Sequence, residues 1–574
     1  MVARGANFKQ VELNVVGSSI FGRYGKISTE RTYNMFESDS FLVSYAGYQI
    51  AIPYNLFLGT PASEGRAVFT STKLNRIVIV IDANVFLVNI DWSQTNESVI
   101  FQSIIKIGTL QTTKGVVYVT ENNAPQILIS DGELLYLYDP AANPTFSIPT
   151  SDGTNPIDFV PGYITFHDEF FICTPKIDIF EGGATNTWRL SAQNNGALWG
   201  NASANIGFLE TKPDNTQAVV RFPSKGNMIF VMGKIVTEAW FDTGAQLFPY
   251  QRNNQFNIDY GCVSPATVAY MDEYVVWLAQ NEKSGPIIMY SDGGMPKKIT
   301  TDGIDYLFAQ FQNPQDSQGF LYRQDGHLFY HINFYSDNFS LFYDFNNGKF
   351  YNASDENLDF FIAAEVCFFD NQYYFVSQNT GNLYTFDTIF TTYQDTDELG
   401  NIVVNEIPRI RTCKNIRQAS QDYFIANDIG FTIETGETNY QQEYVSPIYL
   451  TTQDGKQLIT QGNYIFLMTQ DGNFLQTQDN QYLVSQQTDS TDYFNLIANQ
   501  SQYAYITPRV DMSLSYDGGA SFGNAVPYVL NAIGQRKNKL IWWQCGMTND
   551  LVAQFRFNGI GRFVVTNGVC NVRS

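Results

Sequence analysis

Apolar residues in this chain come in paired short runs separated by a polar turn, and between Leu74 and Phe386 the pair recurs seven times. The leading runs are 77–81, 116–119, 170–172, 228–232, 274–277, 328–330 and 373–376; the following runs are 85–88, 134–138, 188–190, 236–240, 287–290, 341–343 and 383–386. All are rich in Val, Ile, Phe, Tyr and Trp, the side chains that suit a pleated, half-buried surface. Gly, Asp and Asn punctuate them, as in Ser130-Asp131-Gly132 and Gln324-Asp325-Gly326, and these residues turn hairpins. Successive leading runs lie roughly 40 to 60 residues apart, the repeat of a blade of four antiparallel strands. The pattern predicts an all-β chain built as a β-propeller of about seven blades, between six and eight.

Four segments follow from this pattern. Residues 1–64 are an N-terminal opening segment, and 65–436 hold the blades. Residues 437–502 are a polar insertion rich in Gln, Thr and Asp, with Thr452-Gln453-Asp454-Gly455 and Thr469-Gln470-Asp471-Gly472 echoing one another. Its short apolar pieces can make hairpins but no core of their own. Residues 503–574 carry four strand-like runs, at 510–514, 526–530, 539–544 and 554–557, expected to complete the propeller. Either terminus could close the ring, since pairing a terminal strand with the last blade removes an exposed sheet edge.

Composition narrows the classes. Among 574 residues the formal net charge is −22, which argues against wrapping nucleic-acid phosphates. An acidic surface is compatible with DNA sliding past without sticking. The six cysteines are scattered, giving neither a zinc knuckle nor a disulfide framework. No apolar run reaches the roughly 18 residues of a membrane span, and the first ten residues lack a secretory apolar stretch. A chain that is kept in the cytoplasm is expected.

Few motifs carry chemistry. Ser515-Tyr516-Asp517-Gly518-Gly519-Ala520-Ser521-Phe522 resembles the Asp-box of sialidases, a structural turn in which Ser515, Asp517, Gly519 and Ser521 set the bend and Phe522 stands where Trp is usual. His327 and His331 flank a strand-like run, so their spacing does not favour a shared metal. Asp395-Thr396-Asp397-Glu398-Leu399-Gly400 with Glu406 matches part of a calcium loop, but Leu399 occupies a ligand position and an acidic hairpin is favoured. No phosphate loop, nucleophile elbow or paired Cys set is present. No catalytic residue, cofactor or metal is expected. Two basic islands, Arg409, Arg411, Lys414 and Arg417, then Arg536 and Lys537, are candidate contacts with other subunits or partners.

Three stretches resemble the packaged-DNA stabilisation, or tail hub (nozzle), proteins of short-tailed bacteriophages. The first is Tyr33-Asn34-Met35 followed by Ser44-Tyr45-Ala46-Gly47-Tyr48, with Ala46 replacing the family's Pro. The second runs from Asn227-Met228-Ile229-Phe230 through Glu238-Ala239-Trp240-Phe241 and Gly261-Cys262-Val263 to Ile299-Thr300-Thr301-Asp302-Gly303-Ile304. The third is Leu514-Ser515-Tyr516-Asp517-Gly518-Gly519 with Trp542-Trp543-Gln544-Cys545-Gly546. The resemblance implies a structural virion protein of the phage tail, assembled in the host cytoplasm. It implies a homo-hexameric ring that extends the DNA exit channel below the portal and adaptor ring. Such a ring retains packaged viral dsDNA without specific binding and docks tail fibres or spikes, with a tail needle or plug at its tip. Related nozzles use insertions as the tip, so Tyr464, Phe466, Phe474 and Tyr482 in the insertion are candidate gate or dock residues. Two other classes compete: a monomeric propeller that binds glycan or protein, and a sialidase-like glycoside hydrolase, which needs converging carboxylates and arginines in a central pocket.

Overall fold

The computed structural model describes residues 9–23, 30–93, 98–178, 182–200, 203–222, 225–245, 248–418, 420–435, 458–461, 466–469, 508–530, 537–559 and 561–573. Seven antiparallel blades follow one another along the chain. Blade 1 is Gly65–Ser71, Arg76–Ile81, Asn84–Ser93 and Ser98–Thr109. Blades 2 to 6 begin at Tyr118–Glu121, Phe159–His167, Thr216–Arg221, Gly261–Cys262 and Ser317–Gln324. Blade 7 begins at Ala363–Phe369. The first strands of neighbouring blades pack side by side around a common axis.

In six blades the paired apolar runs are the second and third strands, as at Arg76–Ile81 with Asn84–Ser93 and at His327–Phe334 with Phe339–Asp344. These strands are covered on both faces by the adjoining blades, so they read as continuous apolar runs: Ile77 to Ile81 are all fully buried. Blade 2 differs. The run 116–119 overlaps its first strand, and its second strand is the short Ile127–Ser130.

The opening segment supplies the closing strand. Gly47–Ile52 pairs antiparallel with Leu383–Asp387, from Leu383 opposite Ile52 to Asp387 opposite Gly47, and becomes the fourth strand of blade 7. Tyr48 then stacks on Tyr393 at 4.3 Å and packs edge-on to Phe375 and Tyr384. Gly47 cannot carry a side chain, because a Cβ there would lie 2.5 Å from the carbonyl oxygens of Phe390 and Thr392.

The C-terminal strands do not complete the propeller. They join strands from the opening segment in two sheets that share one core. In one sheet the long strand Phe424–Thr435 pairs with Lys537–Trp543 on one side and Gly568–Arg573 on the other, and Lys9–Leu13 extends it. In the other, Arg409–Thr412, Val552–Asn558, Arg509–Ser515 and Val526–Val529 lie in that order. Between them sit Leu13, Phe431, Trp542, Phe555, Phe557 and Cys570, all buried. The alternation of Lys537, Lys539 and Trp543 outward with Leu540 and Trp542 inward identifies a sandwich strand with one wet face, unlike a blade interior. That pattern, with one blade edge already filled by Gly47–Ile52, is why the C-terminal strands form a sandwich beside the propeller, one of whose sheets runs on into blade 6 through Arg31–Tyr33.

The insertion at 437–502 lies outside the described residues except for one hairpin, Leu458–Gln461 with Phe466–Thr469. Phe466 opens its second strand; Tyr464, Phe474 and Tyr482 are outside the described residues, as is Arg536. Among the described residues no helix is long and apolar enough to cross a membrane.

Candidate functional site

The axis holds the central pocket that a propeller enzyme would need. Two cavities lie along it, of about 580 Å³ and about 250 Å³. The smaller is walled by first-strand residues including Val68, Tyr118, Tyr163, Phe320 and Glu365. Glu365 is the one carboxylate among its lining residues. Burial pushes that carboxyl up to about 8, against the opposing pull of the Val68 N–H, which donates to Oε2 at 3.0 Å. Arg66, on the same wall, is committed to the backbone: it donates to the carbonyls of Asp82, Thr112, Lys114 and Gly115 at 2.7–2.9 Å. The larger cavity is edged by Lys114, Lys176 and Lys234 and contains no arginine. Its Asp131 is tied into its own turn by the N–H groups of Glu133 and Leu134. Glu133 and Asp316 also line the larger cavity, so it holds carboxylates but no arginine, whereas the smaller holds one carboxylate and one arginine; a sialidase-like site needs paired carboxylates beside clustered arginines.

A second constellation was not anticipated from sequence. His327 Nδ1 lies 2.8 Å from Asp344 Oδ2, and its Nε2 lies 3.0 Å from Ser38 Oγ. These are the distances of a nucleophile, base and acid. Neither of these two cavities is lined by Ser38. The imidazole is packed on Phe36 and Phe329 at 5.2 and 5.8 Å. The trio therefore ties the opening hairpin, Met35–Ser38 with Phe41–Ser44, to blade 6. No motif spacing could have shown it, because Ser38 and His327 are 289 positions apart. His331 is separate from His327: burial pushes it down to about 3, and Nε2 meets Asn333 Oδ1 at 2.9 Å.

The Asp-box-like turn follows the strand Arg509–Ser515. Asp517 accepts from the Ser521 N–H at 3.0 Å and from the Ser515 and Ser521 hydroxyls at 2.6 Å, while the Gly519 N–H donates to Ser515 Oγ at 2.8 Å. These bonds hold its carboxyl well below the usual range, led by the two hydroxyls. Gly518 and Gly519 adopt φ of +75° and +93°, which favours glycine. Phe522 is half-buried. The partial calcium loop is a hairpin, Thr392–Thr396 with Ile402–Glu406.

Half of the first basic island, Arg409 and Arg411, is internal, which corrects the reading of these two as contact residues. Arg411 is fully buried, donating to Glu30 at 3.0 Å and to the carbonyls of Asn14 and Ser18. Gly17 leaves the room: a Cβ there would meet the guanidinium at 2.3 Å. Arg409 is buried over the Phe563 ring and donates to the carbonyls of Thr391 and Gly559. Both lie in a strand covered on both sides, and the guanidinium fork satisfies several carbonyls at once. Lys414 and Lys537 are exposed, and Arg417 pairs with Asp550 at the surface.

Seven antiparallel blades around a common axis define a β-propeller. The comparisons agree. A family model described as "Bacteriophage P22 Gp10, beta-propeller" (Phage_stabilise) matches residues 98–390, from the outer strand of blade 1 into blade 7, and the chain belongs to that family. It is therefore a structural protein of a bacteriophage tail. No curated protein matches the chain. Among solved structures, the N-terminal domain of Nup159 aligns at 9% identity and TM-score 0.37, over 62% of this chain and 98% of that one. An ancestral GH74 enzyme aligns at 12% and 0.37, over 73% and 53%. Virginiamycin B lyase from Staphylococcus aureus aligns at 10% and 0.38, over 59% and 99%. At such scores none of them bears on what this chain does.

Proposed function

We propose that the chain is a tail hub, or nozzle, subunit that assembles as a ring, six copies being the expected number, around the DNA exit channel. The family match across the blades carries this reading. In it, the ring continues the channel below the portal and adaptor, retains packaged DNA and docks fibres or spikes outside. The net charge of −22 supports a wall past which a polyanion slides without being held. The insertion at 437–502 serves as the tip, gating the channel, seating a needle or plug, or docking fibres. Exposed Lys414 and Lys537 are offered as contacts to acidic partners.

Cryo-electron microscopy of the virion tests this. A closed ring of this chain below the portal and adaptor, enclosing an axial channel, is the expected result. A lone propeller carrying a ligand in its axial cavity would overturn it.

A further inference from the structure

On its outward face the sandwich carries a depression that the described residues leave open. Its floor is Gly430, in the middle of Phe424–Thr435, with Ile541 and Val569 directly opposite on the two paired strands. The floor is bare by necessity: a Cβ on Gly430 would lie 2.7 Å from the carbonyl oxygen of Leu540. The space measures about 370 Å³. Trp543 stands beside it 66% exposed and Val569 41% exposed, an unusual outlay of apolar surface on a sheet face. Lys539 is the cation among the lining residues. Asp428 is the carboxylate, and it is engaged by the amides of Asn427 and Asn571 at 2.8 and 2.6 Å.

Elsewhere the same chain carries a matching projection. The hairpin Thr392–Thr396 with Ile402–Glu406 ends at Leu399, which is 85% exposed. The tip is hydrogen-bonded to itself: Asp397 accepts the N–H groups of Leu399 and Asn401 at 2.9 and 2.8 Å, and Gly400, at φ +83°, sits where a Cβ would meet the Tyr54 hydroxyl. Asp397 and Glu398 immediately precede the leucine, so the knob is apolar at its point with acidic residues on one side.

We propose that Leu399 of one copy seats in the Gly430 depression of the next, against Trp543 and Val569, with Asp397 and Glu398 facing Lys539. This deepens the ring reading and rests on it. Knob and depression are different surfaces, so the contact is head-to-tail, the kind that generates a ring when its rotation closes. Two copies of a chain with net charge −22 repel at long range, and a local pairing of opposite charge sets which surfaces meet. An exposed Trp beside a pocket is the usual anchor of such a contact, and a preformed turn lowers the ordering cost of entering it.

The test uses full-length chain in the virion, with Leu399→Cys and Val569→Cys combined and a short bismaleimide added. All six native cysteines are buried, so background coupling is low. The expected result is a ladder of covalent multiples that needs both substitutions. Leu399→Asp should weaken copy-to-copy association about tenfold or more with an unchanged melting temperature, since the residue is exposed. Glu398→Lys with Lys539→Glu should restore what either change alone removes. A ring visible in the virion without the ladder overturns this contact and leaves the ring reading standing. Virions in which the chain forms no ring overturn both.

Discussion

Met35 and Phe36 are neighbours in sequence and belong to different cores. Met35 is fully buried in the sandwich, with Leu42 beside it, while Phe36 is fully buried among blade 6 and blade 7 aromatics, 5.0 Å from Phe329. Strand alternation makes the opening hairpin a two-sided wedge, so the propeller and the sandwich share a wall one residue thick. Truncating either side chain leaves a cavity in one unit only. Met35→Ala and Phe36→Ala should each cost about 2–5 kcal/mol. Denaturant melts followed by hydrogen exchange should show the first loosening Phe424–Thr435 and the second loosening His327–Phe334.

Closure of the propeller rests on a backbone approach at Gly47. Gly47→Ala places a methyl 2.5 Å from two carbonyl oxygens and must push Gly47–Ile52 away from Leu383–Asp387. The expected loss is about 1–3 kcal/mol, with faster proteolytic cleavage near the blade 7 edge. Substituting a glycine at an open position, Gly115→Ala, changes only its backbone preference and should not expose that edge.

Glu365 gives the fold a pH dependence of stated sign. Its carboxyl is raised from 4.5 to about 8 in the folded chain, so between these values the folded state holds a proton that the unfolded state has lost. Its contribution to stability is complete below about pH 4.5 and is lost as pH rises through about 8. Glu365→Gln should flatten the stability–pH curve across that window and leave the acid side unchanged. A curve that keeps its slope in the variant would assign the dependence elsewhere.

The Arg411–Glu30 pair is the internal counterpart. Removing one partner leaves a buried charge without compensation, so Arg411→Ala and Glu30→Ala should each cost about 3–5 kcal/mol. The double change Arg411→Met with Glu30→Gln should cost less than the two single changes summed. Equilibrium unfolding of the three variants decides it.

The blades were legible because their second and third strands carry the densest apolar runs in the chain. Residues 228–232 and 236–240 are strands at Met228–Gly233 and Thr237–Asp242. The outer strands were less visible: Ser98–Thr109 has no fully buried residue, and Gln102, Ser103 and Lys106 interrupt its apolar positions. The sandwich was hidden by distance along the chain, since Lys9–Leu13 finds its partner at Gly568–Arg573. Arg409 and Arg411 misled because charge in a sequence suggests surface, whereas a buried guanidinium can serve as a backbone clamp. The Ser38–His327–Asp344 trio, Glu365 and the Trp543 depression all depend on tertiary placement and leave no local pattern.

The pairing of Lys9–Leu13 with Gly568–Arg573 has a consequence for biosynthesis. On the ribosome, blades 1 to 6 can be completed in order as each strand emerges, because every strand pairs with one just made. Blade 7 recruits Gly47–Ile52, already long since translated, once Leu383–Asp387 is out. Lys9–Leu13 must wait for Gly568–Arg573, so its hydrogen-bonding edge stays unclaimed while the more than 550 intervening residues are made. A nascent chain stalled before Gly568 would thus hold a finished ring of blades beside an unfinished clasp, and emergence of Gly568–Arg573 is the event that fastens it.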